Sequence, residues 1–216
     1  MSIVTDFINI VLHLDKFLPE LINSFGTWIY IILFVVIFLE TGLVFTPFLP
    51  GDSLIFTVGA FAAVGSLNIT LLLVLLSLAA ILGDSVNYSI GHFIGRKIIK
   101  SKPKLIKKDY LDKTQQFYDK YGGLTIVIAR FIPIVRTFAP FLAGIGTMKY
   151  FKFLFYNIIG GILWVLVFLF AGYFFGNIPF VKENFALAII AIIVVSMIPT
   201  IVEILRHWKK GKKELK

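Results

Sequence analysis

The 216-residue chain contains no cysteine, which excludes disulfides, thiolate metal sites and cysteine nucleophiles. Charge is scarce as well. Only 15% of residues are charged and 58% are hydrophobic, whereas a soluble domain carries about 25% charged residues. A water-soluble globule is thereby excluded, because apolar surface on this scale is solvated by lipid. The gaps in charge come in blocks. Residues 21–95 hold no Lys or Arg, and residues 153–181 and 184–202 hold no charge at all. The three histidines, His13, His92 and His207, lack ligand spacing, so no metal site is expected. No serine has a plausible His/Asp constellation and no glycine-rich phosphate loop with Lys exists. We therefore expect no catalytic residues, no cofactor and no enzyme.

What charge there is sits in two clusters. The formal net charge is +9, and the basic residues concentrate in residues 96–121 and in the tail, 206–216. The positive-inside rule puts both on the cytoplasmic side of a cell membrane. Topological anchoring and attraction to anionic headgroups account for them better than nucleic-acid binding does. Residues 1–26 carry Asp6, Asp15 and Glu20 against one lysine, Lys16. They lack the basic start of a signal peptide, so no cleavage is expected. Apolar residues there recur every three to four positions, which reads as an amphipathic interfacial helix. Its acidic balance favours the outer face.

A span needs about 20 apolar residues to cover roughly 30 Å. Residues 67–95, 150–176 and 185–205 meet this and are expected to cross. Residues 28–65 do not. A long apolar arm runs into Thr46-Pro47-Phe48-Leu49-Pro50-Gly51-Asp52, and the twelve residues left before Gly65 reach only about 18 Å. Residues 122–147 are broken in the same way, around Pro133-Ile134-Val135-Arg136, into arms of about 12–14 Å. Both stretches read as re-entrant helical hairpins, a backbone tolerated at membrane depth only when buried in protein or lining a wet cavity. The segments 45–51 and 138–144 share the pattern F-x-P-F-L-x-G, which places Pro47, Pro50, Gly51, Pro140 and Gly144, with Pro133, at the tips. The expected fold is an all-α polytopic membrane protein in one domain, with two inverted re-entrant hairpins, about three full transmembrane helices and the interfacial N-terminal helix. Paired interrupted segments in two inverted halves mark a secondary transporter, with its site near the midplane.

Five ionisable residues lie in or beside these apolar segments: Glu40, Asp52, Asp84, Arg130 and Arg136. A charge at the bilayer centre costs at least about 2.5–3.5 kcal/mol, so each needs a partner, water or a ligand. The plainest account is mutual neutralisation between the hairpins. A functional account is compatible with it. Arg130 and Arg136 straddle Pro133, and two permanently charged guanidinium forks near broken helix ends suit a phosphate or carboxylate. Glu40 differs in that its proton affinity depends on whether the arginine beside it is occupied, as proton coupling requires. Asp52 either shares that role or caps the half-helix that follows it. Asp84, Tyr88, Gly91 and Gly95 fall on one helix face. The glycines allow close helix approach, and Asp84 and Tyr88 either make interhelical contacts or line the pathway.

Taken in order, four motifs resemble the DedA family, which shares a domain with the eukaryotic SNARE-associated/VTT-domain lipid scramblases. They are Glu40 with Pro47-x-x-Pro50-Gly51-Asp52; Gly83-Asp84-x-x-x-Tyr88-x-x-Gly91-x-x-x-Gly95; Arg130-Phe131-Ile132-Pro133-x-x-Arg136; and Ala143-Gly144 with Met148. The resemblance spans about residues 25–175. It implies an integral membrane lipid transporter with two facing re-entrant hairpins, its motif acids at Glu40 and Asp52 and its motif arginines at Arg130 and Arg136. Bacterial members are associated with returning undecaprenyl phosphate across the cytoplasmic membrane for cell-envelope synthesis, others with phospholipid movement or maintenance of the proton-motive force.

The reading that joins both lines is a membrane translocase for a phosphate-headed lipid, either undecaprenyl phosphate or a phospholipid, coupled to protons through Glu40 and Asp52. The expected partners are that lipid and the surrounding membrane lipids, with a homo-oligomer compatible and nucleic acid excluded. The alternatives are a proton-coupled transporter of small cations or drugs, for which only the acids would matter, and a membrane scaffold, for which none of the charges would.

Overall fold

In a computed structural model, the protein is described over residues 14–43, 51–95, 97, 122–146, 148–192 and 194. Every regular element among these residues is helical. They are α1 (Leu14–Phe25), a 3-10 turn (Gly26–Trp28), α2 (Ile29–Gly42), α3 (Gly51–Ala63), α4 (Ile69–Ile90), a turn of π-helix (Gly91–Gly95), α5 (Leu124–Ala129), α6 (Pro133–Ile145), α7 (Tyr150–Phe175) and α8 (Pro179–Glu183). Residues 185–192 are helical too.

Three helical runs are long and apolar enough to cross a membrane: Phe17–Gly42, Ile69–Gly95 and Tyr150–Phe175, of 26, 27 and 26 residues. The second and third match the expected spans 67–95 and 150–176. The first differs from expectation. The chain assigned to a separate interfacial helix and to the first hairpin arm is joined by one 3-10 turn, with Gly26 at φ +51° marking the bend. Of the expected span 185–205, only the start is described. Pro47 and Pro50, the basic segment 96–121 apart from residue 97, the tail 206–216 and residues 1–13 lie outside the described residues.

Local chemistry explains the breaks. Asn68 caps α4, its side chain accepting from the Leu71 N–H at 3.0 Å. The Tyr30 hydroxyl accepts from the Asn68 N–H at 2.7 Å and ties the start of α2 to the same end. Between α3 and α4, the Ser66 N–H bonds to the Phe61 carbonyl and the Gly65 N–H to the Ala62 carbonyl, each at 3.1 Å. That Schellman closure requires a residue at positive φ, and Gly65 supplies +80°. The chain leaves α5 through i→i−3 bonds (Phe131 to Ile128, Ile132 to Ala129), and Ile132 is extended because Pro133 follows it. Proline is pre-set for a first helical turn, so α6 starts there.

α3 and α6 have 13 residues each and reach about 20 Å, too short to cross. α3 lies along α7 and α6 along α4, while α2 runs beside α4 and α5 beside α7. Each short helix therefore packs on the long helix of the other half, and α3 is buried along almost its whole length. Bare backbone makes this possible. A Cβ on Gly59 would sit 2.1 Å from the Leu169 carbonyl oxygen, and one on Gly172 would sit 1.8 Å from that of Phe56. The outer faces are apolar. Leu71, Val74, Leu78, Leu82 and Val86 are exposed along one side of α4, and Leu72, Leu76, Ala80, Asp84 and Asn87 are buried on the other. Lipid faces the exposed apolar stripe, and protein covers the face that carries Asp84 and Asn87.

The second F-x-P-F-L-x-G segment corrects the expectation for its tip. Pro140 and Gly144 lie inside α6, with Gly144 pressed on the Tyr88 carbonyl, where a Cβ would be 2.0 Å away. The break falls at 130–132, so of the residues expected at this tip only Pro133 is there.

We predict that Gly172→Ala lowers stability by about 1–3 kcal/mol, because the α3–α7 crossing leaves no room for a methyl group. It is read as a lower thermal midpoint in detergent, with lipid-facing Leu71→Ala unchanged.

Candidate functional site

Two ion-paired groups meet between α2, α3, α4, α6 and α7. Arg136, in the first turn of α6, reaches Glu40 near the end of α2 and Asp52 in the first turn of α3. Its Nη1 donates to Asp52 Oδ1 at 2.6 Å, and its Nη2 donates to Glu40 Oε1. Trp164 on α7 completes the arrangement. Its indole N–H donates to the same Asp52 oxygen at 2.9 Å, and the guanidinium carbon of Arg136 stands 5.3 Å from its ring centroid, within cation–π range. The Gly51 N–H donates to Glu40 Oε1 at 3.1 Å. A Cβ on Gly51 would come within 1.8 Å of Glu40 Oε2, so the carboxyl is seated where only glycine leaves space.

Arg130, just past α5, takes a different acid. Its Nη2 donates to Asp84 Oδ2 on α4, to Asn157 Oδ1 on α7 and, at 3.4 Å, to the Ala80 carbonyl. The bare stripe of Gly160 and Gly161 on α7 accommodates its stem, with Arg130 Cδ 3.1 Å from where a Gly160 Cβ would be. The Asn157 amide is itself held, donating to the Ile81 carbonyl at 2.9 Å. Asn87 braces the two halves, its side chain donating to the Thr41 carbonyl at 3.2 Å and the Thr137 carbonyl at 2.8 Å.

All five charged side chains are buried. Between the two groups lies a cavity of about 10 Å³ lined by Thr41, Asp84, Arg130, Arg136, Thr137 and Trp164, about the room one water needs. Three hydrogen-bonding atoms of the charged residues have no partner among the described residues: Glu40 Oε2, Arg130 Nε and Arg136 Nε. The described residues include no cluster of His, Asp and Glu able to hold a metal.

The sequence-level pairing is thus met in part. Glu40 and Asp52 converge on Arg136, while Arg130 is served by Asp84, one of two roles left open for that residue. Asp52 lies within the first turn of α3, with Oδ1 taken by Arg136 and Trp164, rather than at the N-cap. Tyr88 donates to the Met148 carbonyl at 2.7 Å and joins α4 to the start of α7. Trp164, Asn157 and Asn87 were not anticipated. The signal available was Asn157, the only amide between residues 153 and 176, with Trp164 two turns along the same face.

The VTT domain matches residues 49–174, a stretch holding Asp52, Asp84, Arg130, Arg136 and Trp164. Protein DedA of Escherichia coli is 52% identical over 219 residues, covering 100% of both chains. The chain belongs to the DedA family. An uncharacterized membrane protein of Mycobacterium tuberculosis is 42% identical over 86% of this chain and 82% of its own. Inner membrane protein YqjA of E. coli is 36% identical over 70% of this chain and 69% of its own. No solved structure matches. With its three long apolar helices, this DedA-family chain is a multi-pass membrane protein.

Breaking a buried ion pair strands the surviving charge, at a cost of about 3–5 kcal/mol. We predict that Arg130→Met and Asp84→Leu each lose stability on that scale, and that the double variant loses less than the two together. A double-mutant cycle on unfolding in mixed micelles reads this coupling.

Proposed function

We propose that the protein is a translocase for a phosphate-headed lipid, with undecaprenyl phosphate the substrate that the family resemblance favours, and that its transport is coupled to protons through Glu40 and Asp52. The observation that carries the reading is the pair of buried arginines facing one small cavity, each with an Nε that has no partner among the described residues. A guanidinium presents a fork of donors that a phosphate fills with two oxygens. In the resting arrangement the carboxylates occupy that fork.

The exchange follows from charge. Three carboxyls, Glu40, Asp52 and Asp84, stand against two guanidinium groups, Arg130 and Arg136, so full ionisation leaves one negative charge in excess. Each proton taken by a carboxyl removes one negative charge and frees donors for phosphate oxygens. Lipid phosphate and protons are then bound together, and loss of the protons returns the carboxylates to the arginines and expels the phosphate. The hydrocarbon tail never has to enter the polar centre, because it remains among the lipid-facing apolar side chains. The basic segments 96–121 and 206–216 are placed on the cytoplasmic side by the positive-inside rule.

The excess carboxyl favours a second reading, a proton-coupled transporter of small cations, in which the acids act and the arginines only neutralise. Vesicles reconstituted with the protein, read by accessibility of the lipid headgroup, separate the two. We expect Arg136→Ala to slow lipid movement about ten- to a hundredfold, the worth of a charge-assisted contact. We expect Arg136→Lys, which keeps the charge and loses the fork, to be slowed as well, and Glu40→Gln to move lipid at a rate that no longer responds to an imposed pH gradient. Unimpaired lipid movement by both arginine variants would overturn the reading.

A further inference from the structure

Away from the charged centre, at the end of α4 where the π-helical turn lies, a cavity of about 630 Å³ opens between Tyr88, Ser89 and His92 on one side and Lys149, Tyr150 and Phe151 on the other. A second cavity, of about 470 Å³, shares Ser89, Phe93 and Tyr150 with it and runs along the outer face of α4 past Leu82, Val86 and Ile90 to Phe38 of α2. Three common wall residues make the two spaces neighbours. They differ in chemistry, the first having a cation and polar groups at its end and the second being apolar along its length.

The polar end is arranged for an anion. Lys149 occupies the N-cap of α7, a position that usually carries Ser, Thr, Asp or Asn, and no side chain caps the helix. The first turn of α7 has no acid, so the positive end of a 26-residue helix and the lysine at its N-cap adjoin with no acid beside them in that turn. His92 Nδ1 is buried and has no partner among the described residues, while its ring stacks on Tyr88. Among the described residues, no carboxylate lines either cavity. The π-helical turn itself widens the helix where His92 projects, an irregularity that recurs at functional sites. The groove also leads inward. Ser85 is in its wall, and Ser85 Oγ accepts from Asn157 Nδ2 at 3.4 Å, the asparagine that accepts from Arg130.

We propose that these neighbouring cavities together are a docking site for a single phosphate-headed lipid, with its phosphate at Lys149 and the start of α7 and the adjoining part of its chain in the α4 groove beside Ser85. The onward step, from this site to Arg130, rests on the translocase reading; the docking itself does not. The occupant is a lipid rather than free phosphate, because the groove adds apolar contact that only a chain can fill.

Native mass spectrometry of the full chain in detergent tests it, with dioleoyl phosphatidic acid, dioleoylglycerol (the same chains without phosphate) and inorganic phosphate as probes. We expect phosphatidic acid to be retained over dioleoylglycerol. Lys149→Ala should cut that retention about tenfold and Lys149→Arg should restore it. Val86→Trp, which fills the groove at a lipid-facing position, should reduce retention of both lipids. Leu71→Ala, on the exposed side of α4 and outside both cavities, should retain phosphatidic acid as the unmodified chain does. Melting curves confirm that each variant is folded, and a variant that fails is replaced by Lys149→Gln or Ile90→Trp. Equal retention of the two lipids, an unaffected Lys149→Ala, or displacement of phosphatidic acid by inorganic phosphate alone would overturn the proposal. Loss of retention in Arg136→Ala with Lys149→Ala unaffected would put the lipid in the charged centre, removing the docking site and leaving the translocase standing. Docking as expected with lipid movement unimpaired by the arginine variants would do the reverse.

Discussion

One guanidinium holds this structure in register. Arg136 joins the end of α2 to the start of α3 and both to α6, through Glu40 and Asp52, and Trp164 brings in α7. An isolated charge at this depth is costly, and a pair whose partner is removed strands the survivor. The four helices can therefore satisfy their charged residues only when they meet here.

The packing that delivers these groups follows from short helices and bare backbone. A 13-residue helix cannot span a bilayer, so α3 and α6 must be covered by protein. Each is covered by the long helix of the other half, α3 by α7 and α6 by α4. The contact points are backbone against backbone: Gly59 and Gly172 at one crossing, Gly91 and Gly144 at the other, where a Cβ on Gly91 would come within 2.1 Å of the Phe141 carbonyl oxygen. Close approach brings the helix starts, and the charged residues in their first turns, to the middle of the assembly. Packing and chemistry are in this sense the same feature.

Much of this could be read before any coordinates. The uncharged blocks mark the long helices, and the five embedded charges mark the centre, because lipid tolerates so few of them that each one is informative. Proline at 133 marks the α5–α6 break, since it admits a helix after it and not before it. The choice of partners was not legible. Arg130 lies six residues from Arg136, yet it turns to Asp84 and Asn157 while Arg136 turns to Glu40 and Asp52. Spacing along a broken helix does not determine which long helix each side chain faces. Trp164 was hidden for a related reason, because within an uninterrupted apolar run an indole looks like any other core aromatic until its N–H is seen to have an acceptor. Pro140 misled, since its matching motif suggested a second break, whereas α6 accommodates it internally.

The account stands or falls on whether the end of α2 and the first turn of α6 adjoin, and the absence of cysteine makes that directly measurable. Thr41 and Thr137 both line the central cavity, and their carbonyls share the Asn87 amide. In a Thr41→Cys/Thr137→Cys chain in native membranes, oxidation or a short bifunctional thiol reagent should cross-link the pair within one molecule, detected after cleavage of the polypeptide between the two positions. Failure to cross-link while each cysteine alone still reacts with a membrane-permeant maleimide would mean that the two halves do not converge as described.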